Sequence, residues 1–128
     1  YGFVDNILTN EREIYACVIG KEIKTKDILS SKEKCRKINE SGKKCVNSII
    51  KKPTLENLFK LSKEFAITTG LASSEIIDAI EEVNKYGMAS MCMLGNSLFG
   101  VGEVKKIFER YGKTYKCRIS NGGFVYDA

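Results

Sequence analysis

One run of this chain, Gly87-Met-Ala-Ser-Met-Cys-Met-Leu-Gly-Asn-Ser-Leu-Phe-Gly-Val-Gly102, combines glycines, small hydroxyl and amide side chains and all three methionines, with no acidic or basic residue. Glycine lets main-chain N–H groups come close to phosphate or carboxylate oxygens, so the run is a candidate anion cradle. The same residues, two apolar stretches about Gly95-Asn96, also fit a central hairpin whose two-residue turn needs positive φ. That second pattern is the commoner one for such a string.

Other routes to chemistry are narrow. The chain has no histidine, which removes the commonest general base and the usual partner of a nucleophilic Ser or Cys. Five cysteines, Cys17, Cys35, Cys45, Cys92 and Cys117, are widely spaced and form no Cys-x-x-Cys pair. Neither a disulfide framework nor a zinc site has its usual spacing, and buried reduced thiols are expected. The net charge of +5 is uneven: Lys32, Lys34, Arg36, Lys37, Lys43, Lys44, Lys51 and Lys52 face only Glu33 and Glu40 in their segment. Such a stripe fits either a solvated helix face or a polyanion-binding surface.

These residues need elements to hold them. At 128 residues one domain with a real core is expected. No apolar run approaches the roughly 20 residues of a membrane helix. Residues 13–19 read as a strand ending at Gly20, and Thr25 is placed to cap a helical turn through Ile28 and Leu29. From Ser31, the spacing of Cys35, Ile38, Cys45, Val46, Ile49 and Ile50 predicts a helix with one apolar stripe, ended by Pro53. Thr54 caps a second helix, through Phe59, Phe65 and Ala66, that stops at Gly70. Ser73 or Ser74 starts a third, with Ile76, Ile77, Ile80 and Val83 on its buried side. After the central run, residues 103–111 predict a short helix and 113–119 a strand. Asn121-Gly122 then turns the chain into a partner strand at Phe124–Tyr126. The order β-α-α-α-β-β-α-β-β describes an α+β fold, an antiparallel sheet with helices mainly on one face, on a ferredoxin-like plan.

Four strings, Val18-Ile-Gly-Lys-Glu-Ile-Lys-Thr-Lys-Asp-Ile-Leu29, Pro53-Thr-Leu-Glu-Asn57, Phe65-Ala-Ile-Thr-Thr-Gly-Leu-Ala-Ser73 and above all Ala89-Ser-Met-Cys-Met-Leu-Gly-Asn-Ser-Leu-Phe99, carry a resemblance over nearly the whole chain. It resembles the carboxy-terminal domain of the GHMP kinase superfamily, in its archaeal pantoate kinase branch. The resemblance implies transfer of the ATP γ-phosphoryl, with Mg2+, to pantoate, giving 4-phosphopantoate for coenzyme A in the cytoplasm. The phosphate loop of such kinases, a Pro-x-x-x-Gly-Leu-Gly-Ser-Ser-like string, is absent. A chain beginning at Tyr1 therefore reads as 1–128 of a single domain, whose partner is an amino-terminal ATP-binding domain of the same protein. Alone it is expected neither to bind ATP tightly nor to turn over; a homodimer is a further partner.

The superfamily's third glycine-rich motif falls on Ser90 to Asn96, at the domain junction. With Met91-Cys92-Met93 ahead of a lone Gly95, the segment Met91 to Leu94 is expected to shape the acceptor pocket or the junction rather than bind phosphate. Ser90 is placed either to hydrogen-bond an acceptor carboxylate or phosphate or to cap a turn. Asn96 serves as a left-handed turn residue or a ligand contact. Thr25 and Lys26, where the family pattern keeps a Thr, offer a cation for an anionic substrate or a helix cap with a solvated lysine. No catalytic residue and no metal ligand is assigned. The alternatives are an α+β module binding nucleic acid through Lys32–Lys52, for which RNP-like aromatic strings are missing, and a small metabolite-binding regulatory domain.

Overall fold

The computed structural model describes residues 13–20, 28–92 and 96–120, with Ile7 and Asn10. Four strands, β1 (Glu13–Val18), β2 (Gly87–Met91), β3 (Ser97–Gly102) and β4 (Lys113–Arg118), and four helices, α1 (Lys32–Lys51), α2 (Leu55–Thr68), α3 (Ser74–Val83) and α4 (Lys105–Tyr111), make an α+β fold. The sheet order is β2-β3-β1-β4 and every pairing is antiparallel. A short helical stretch at Ile28 and Leu29 precedes α1, with Ile28 buried. Phe3–Leu8, apart from Ile7, lies outside the described residues, as do the Asn121-Gly122 turn and the strand expected at Phe124–Tyr126. Among the described residues, no helix is long and apolar enough to cross a membrane.

Helix boundaries follow from capping side chains. The hydroxyls of Ser31, Thr54 and Ser73 accept from the backbone N–H of Lys34, Asn57 and Ile76 at 3.3, 3.2 and 3.3 Å, each satisfying an orphan donor of a first turn. At the end of α2, Gly70 takes φ 71°. Its N–H and that of Leu71 close onto the carbonyls of Ile67 and Ala66, a Schellman ending that buries Leu71. The Asn57 side-chain amide donates to the carbonyl of Lys52 at 2.9 Å, so the start of α2 fastens the end of α1.

The core lies where α3 and α4 cover one face of the sheet. Ile76, Ala79, Ile80 and Val83 of α3 and Ile107 and Phe108 of α4 pack with Cys17, Ala89, Met91 and Leu98 of the strands. Ala79, not Ile77, completes the buried row of α3, because positions three, four and seven beyond Ile76 share its side of a helix and the next residue does not. Phe108 sits against Gly100 of β3, where a Cβ would lie 2.9 Å from its Cζ. The Cys17 thiol donates to the Phe108 carbonyl at 3.2 Å, and burial pushes that thiol's pKa up. Cys17 is the one buried thiol among the described residues. Cys35, Cys45 and Cys92 are half-buried and Cys117 is exposed, and all are free. The expectation of buried thiols therefore holds for one of the five, because the others lie on α1, at the end of β2 and on the outermost strand.

Helix α1 departs furthest from its pattern. The predicted stripe is present, yet none of its residues is buried, and Val46 and Ile50 are 52% and 54% exposed. Periodicity specified an apolar side, but only α2 lies against it.

Glu82 ties α3 to α4, taking the Tyr111 hydroxyl at 2.7 Å and the Arg110 guanidinium at 2.8 Å. The hydrogen bond to Glu82 raises the Tyr111 phenol above its ordinary value. Because the folded pKa lies above the unfolded one, this contribution to stability is intact below about pH 10 and is lost as pH climbs through the folded value. Tyr111→Phe is expected to cost about 1 kcal/mol near neutrality, and to flatten the alkaline fall in melting temperature. Thermal melts near neutrality and above pH 10 check both.

Candidate functional site

Antiparallel pairing gathers four chain ends at one end of the sheet. Met91 pairs with Leu98, Val18 with Ser97, and Val18 with Lys113, so the last residues of β1 and β2 meet the first residues of β3 and β4. Asn96 is the joint. Its carbonyl accepts from the N–H groups of Ile19 at 2.8 Å and Gly20 at 3.1 Å. Its side chain lies over Gly20, where a Cβ would stand 3.3 Å from Asn96 Nδ2. Lys113 brings a cation to this end of the sheet and rests its ammonium 5.3 Å from the Tyr115 ring.

The hairpin connection differs from the sequence expectation. A two-residue Gly95-Asn96 turn would pair residue 94 with Ser97. Instead, the N–H of Cys92 donates to the carbonyl of Ser97 at 2.9 Å, which leaves four residues between the paired positions. The observed register puts Ala89 opposite Gly100 and Met91 opposite Leu98, two residues away from the one a Gly95-Asn96 turn would set, and Asn96 is engaged with the end of β1 instead. Asn96 thereby becomes a fixed bridge to β1.

Ser90 and Met91 sit inside β2 rather than in the connection. Met91 fills the core. Ser90 is fully buried, opposite Phe99, whose ring meets that of Phe59 from α2 at 5.1 Å. Among the described residues, Ser90 Oγ is the buried side-chain oxygen left without a hydrogen-bond partner. It caps no turn, since it lies mid-strand. Removing an unsatisfied buried hydroxyl relieves a desolvation cost, so Ser90→Ala is expected to be neutral or to stabilise by up to about 1 kcal/mol. A denaturant midpoint that fell by more than that would show that the hydroxyl is bonded.

Thr25, Lys26, Leu94 and Gly95 lie outside the described residues. The segments carrying them begin at Gly20 and end at Asn96, the two positions that the Asn96 bridge joins. Sequence reasoning missed that bridge, because it links residues far apart in the chain through a backbone carbonyl. Among the described residues, no three of Cys, Asp and Glu cluster as a metal-binding group. One surface groove lies elsewhere, between α2 and β2, about 410 Å3 in volume and lined by Phe59, Lys60, Lys63 and Met88. The Glu13–Lys116 ion pair, 2.9 Å, is at the opposite end of the sheet. There the lysine's hydrogen bond holds the Glu13 carboxyl below its ordinary range.

No family model matches the chain. It is similar to the pantoate kinase of Methanocaldococcus jannaschii, 42% identical over 86 residues, covering 67% of this chain and 32% of that protein. The pantoate kinase of Methanospirillum hungatei is 34% identical over 114 residues, 88% of this chain and 37% of that one. That of Thermococcus kodakarensis is 28% identical over 78% of this chain and 33% of its own length. The chain thus spans about a third of the length of the curated relatives that it matches. Among solved structures, a phosphotransferase related to the CoA biosynthesis pathway superposes with a TM-score of 0.75 over 91% of this chain and 40% of the other, at 24% identity. At that identity the likeness speaks for the fold.

Proposed function

The chain belongs to the pantoate kinase family over the third of those proteins that it spans, and from that premise we propose that it is the acceptor-side, carboxy-terminal domain of a two-domain GHMP-type kinase. The observation that carries the proposal is the match to three relatives that share one name, the widest of them running over 88% of the chain. In this proposal the longer enzyme works in the cytoplasm. It moves the γ-phosphoryl of ATP to the terminal hydroxyl of pantoate: the alcohol oxygen bonds to phosphorus, the bond to the ADP oxygen breaks, and the alcohol proton leaves. The products are 4-phosphopantoate and ADP.

Phosphoryl transfer asks for positioning and for fixed positive charge around the phosphoryl oxygens. The described residues offer no phosphate loop and no carboxylate set for Mg2+, so ATP and its metal are assigned to the amino-terminal domain. What this chain supplies is the acceptor wall. Asn96 ties the start of β3 to the end of β1 through its carbonyl, and Thr25, Lys26, Leu94 and Gly95 belong to the chain segments that adjoin these two ends. We assign those four residues, with Asn96, to the side of the cleft that receives pantoate, Lys26 being the cation for its carboxylate. Ser90 and Met91 set the strand behind them and do not contact substrate.

Assay of the longer gene product with Mg2+-ATP and a panel of small hydroxy acids tests the proposal. ADP formation that depends on pantoate, with transfer to its terminal hydroxyl seen by phosphorus NMR, is expected. Turnover indifferent to pantoate would remove the acceptor assignment.

A further inference from the structure

Two adjoining depressions on the outer side of the helical pair α1–α2 form one groove, about 680 and 250 Å3 in volume, and they share Gly42, Val46 and Phe65. Ile38 and Ile49 of α1 and Leu58 of α2 complete its apolar wall. This is the face whose burial the sequence leads one to expect and which nothing in the described residues covers: α1 buries no residue along 20 positions. The floor is low because Gly42 has no side chain, a Cβ there lying 3.8 Å from the Phe65 ring. One rim is a row of donors, Asn39, Lys43 and Asn47, four residues apart and so aligned along the helix. The acids of α1 are engaged away from this rim, Glu40 with Arg36 and Glu33 with Lys37. Among the described residues, Lys43 makes no ion pair.

We propose that this groove docks an acidic amphipathic helix, with apolar side chains at helical spacing filling the Gly42–Val46–Phe65 trough and carboxylates along the Asn39–Lys43–Asn47 rim. Charge complementarity selects the acid: Lys43 is the charged side chain of the groove's lining, and Arg36 and Lys32, seven and eleven residues before it, share its side of α1 by helical spacing. Backbone chemistry selects the helix. The walls are helices whose N–H and C=O groups bond internally, so an added strand would find no edge to pair with. A second copy of this chain is disfavoured, because a two-fold contact would set one basic rim against the other. The groove shares no residue with the acceptor wall, so the docking proposal and the kinase proposal fail separately.

The test is fluorescence anisotropy of the full chain with a labelled, stapled synthetic helix carrying leucines on one face and glutamates flanking them. The same helix with lysine for glutamate, and with serine for leucine, are the controls. The Glu helix is expected to saturate, to shift amide resonances of α1 and α2, and to bind at least about tenfold more weakly to Lys43→Glu and to Val46→Ser. Both substitutions are at exposed positions, and circular dichroism checks that each variant is folded. Lys60→Glu, outside the groove, is expected to leave binding unchanged. Equal binding of the Glu and Lys helices, or no binding of either, overturns the proposal. So does self-association abolished by Val46→Ser in sedimentation, or binding of an RNA oligonucleotide at Lys43 that the Glu helix does not compete away.

Discussion

Phe108→Ala is expected to destabilise the domain by about 3–5 kcal/mol, the usual cost of deleting a fully buried aromatic ring, and to lower the melting temperature by roughly 10–20 °C. The effect falls at the upper end of that range for two reasons. Gly100 lies directly against the ring and has no side chain with which to fill the void. The surrounding strands are also held by continuous antiparallel ladders, so the sheet cannot collapse onto the cavity. Gly100→Ala is expected to cost less in the Phe108→Ala background than in the parent, because the clash with the ring is released while that with the Met88 carbonyl remains. The same change alone is destabilising, since its Cβ would meet Phe108 at 2.9 Å and the Met88 carbonyl at 2.8 Å. Urea unfolding of the four proteins measures the coupling. Additivity within about 0.5 kcal/mol would refute the contact.

The second large effect concerns catalysis. The 128-residue chain alone is expected to lose at least roughly 10^4-fold in pantoate phosphorylation against the longer enzyme, whose turnover should lie in the ordinary kinase range of about 1–100 s^-1. Bringing two reactants into register is worth many orders of magnitude, and one wall of a cleft cannot do it. The grooves on α1, α2 and β2 lie away from Asn96. A coupled ADP-release assay on equal concentrations of the two proteins decides the matter. A rate from the short chain within tenfold of the long one would show that no second domain is needed.

Much of the fold was legible because its signals are local. Ser31, Thr54, Ser73 and Gly70 mark helix ends through bonds to residues within a few positions, and the strand at residues 13–18 shows in its β-branched and aromatic content. The less legible features depend on partners distant in the chain. The stripe of α1 shows which side is apolar, but not that only α2 meets it. The hairpin register pairs Met91 with Leu98 and engages Asn96 with the end of β1, so Gly95-Asn96 misleads as a turn centre. Cysteines in apolar strings read as buried, yet Cys117 is exposed because β4 is the outermost strand of the described sheet. The sequence singled out Ser90 to Asn96 as one stretch. The division of labour within it, with Ser90 and Met91 inside the strand and Asn96 bridging to Gly20, appears only once β1 and β3 are paired.

Amide chemical-shift mapping of the longer enzyme during titration with pantoate tests the central claim most directly. The acceptor-side account predicts saturable shifts at Gly20, Asn96, Ser97 and Lys113, with Asn96→Ala raising KM for pantoate more than it lowers kcat. Shifts confined to residues outside this chain, or to the α1–α2 groove, would contradict it.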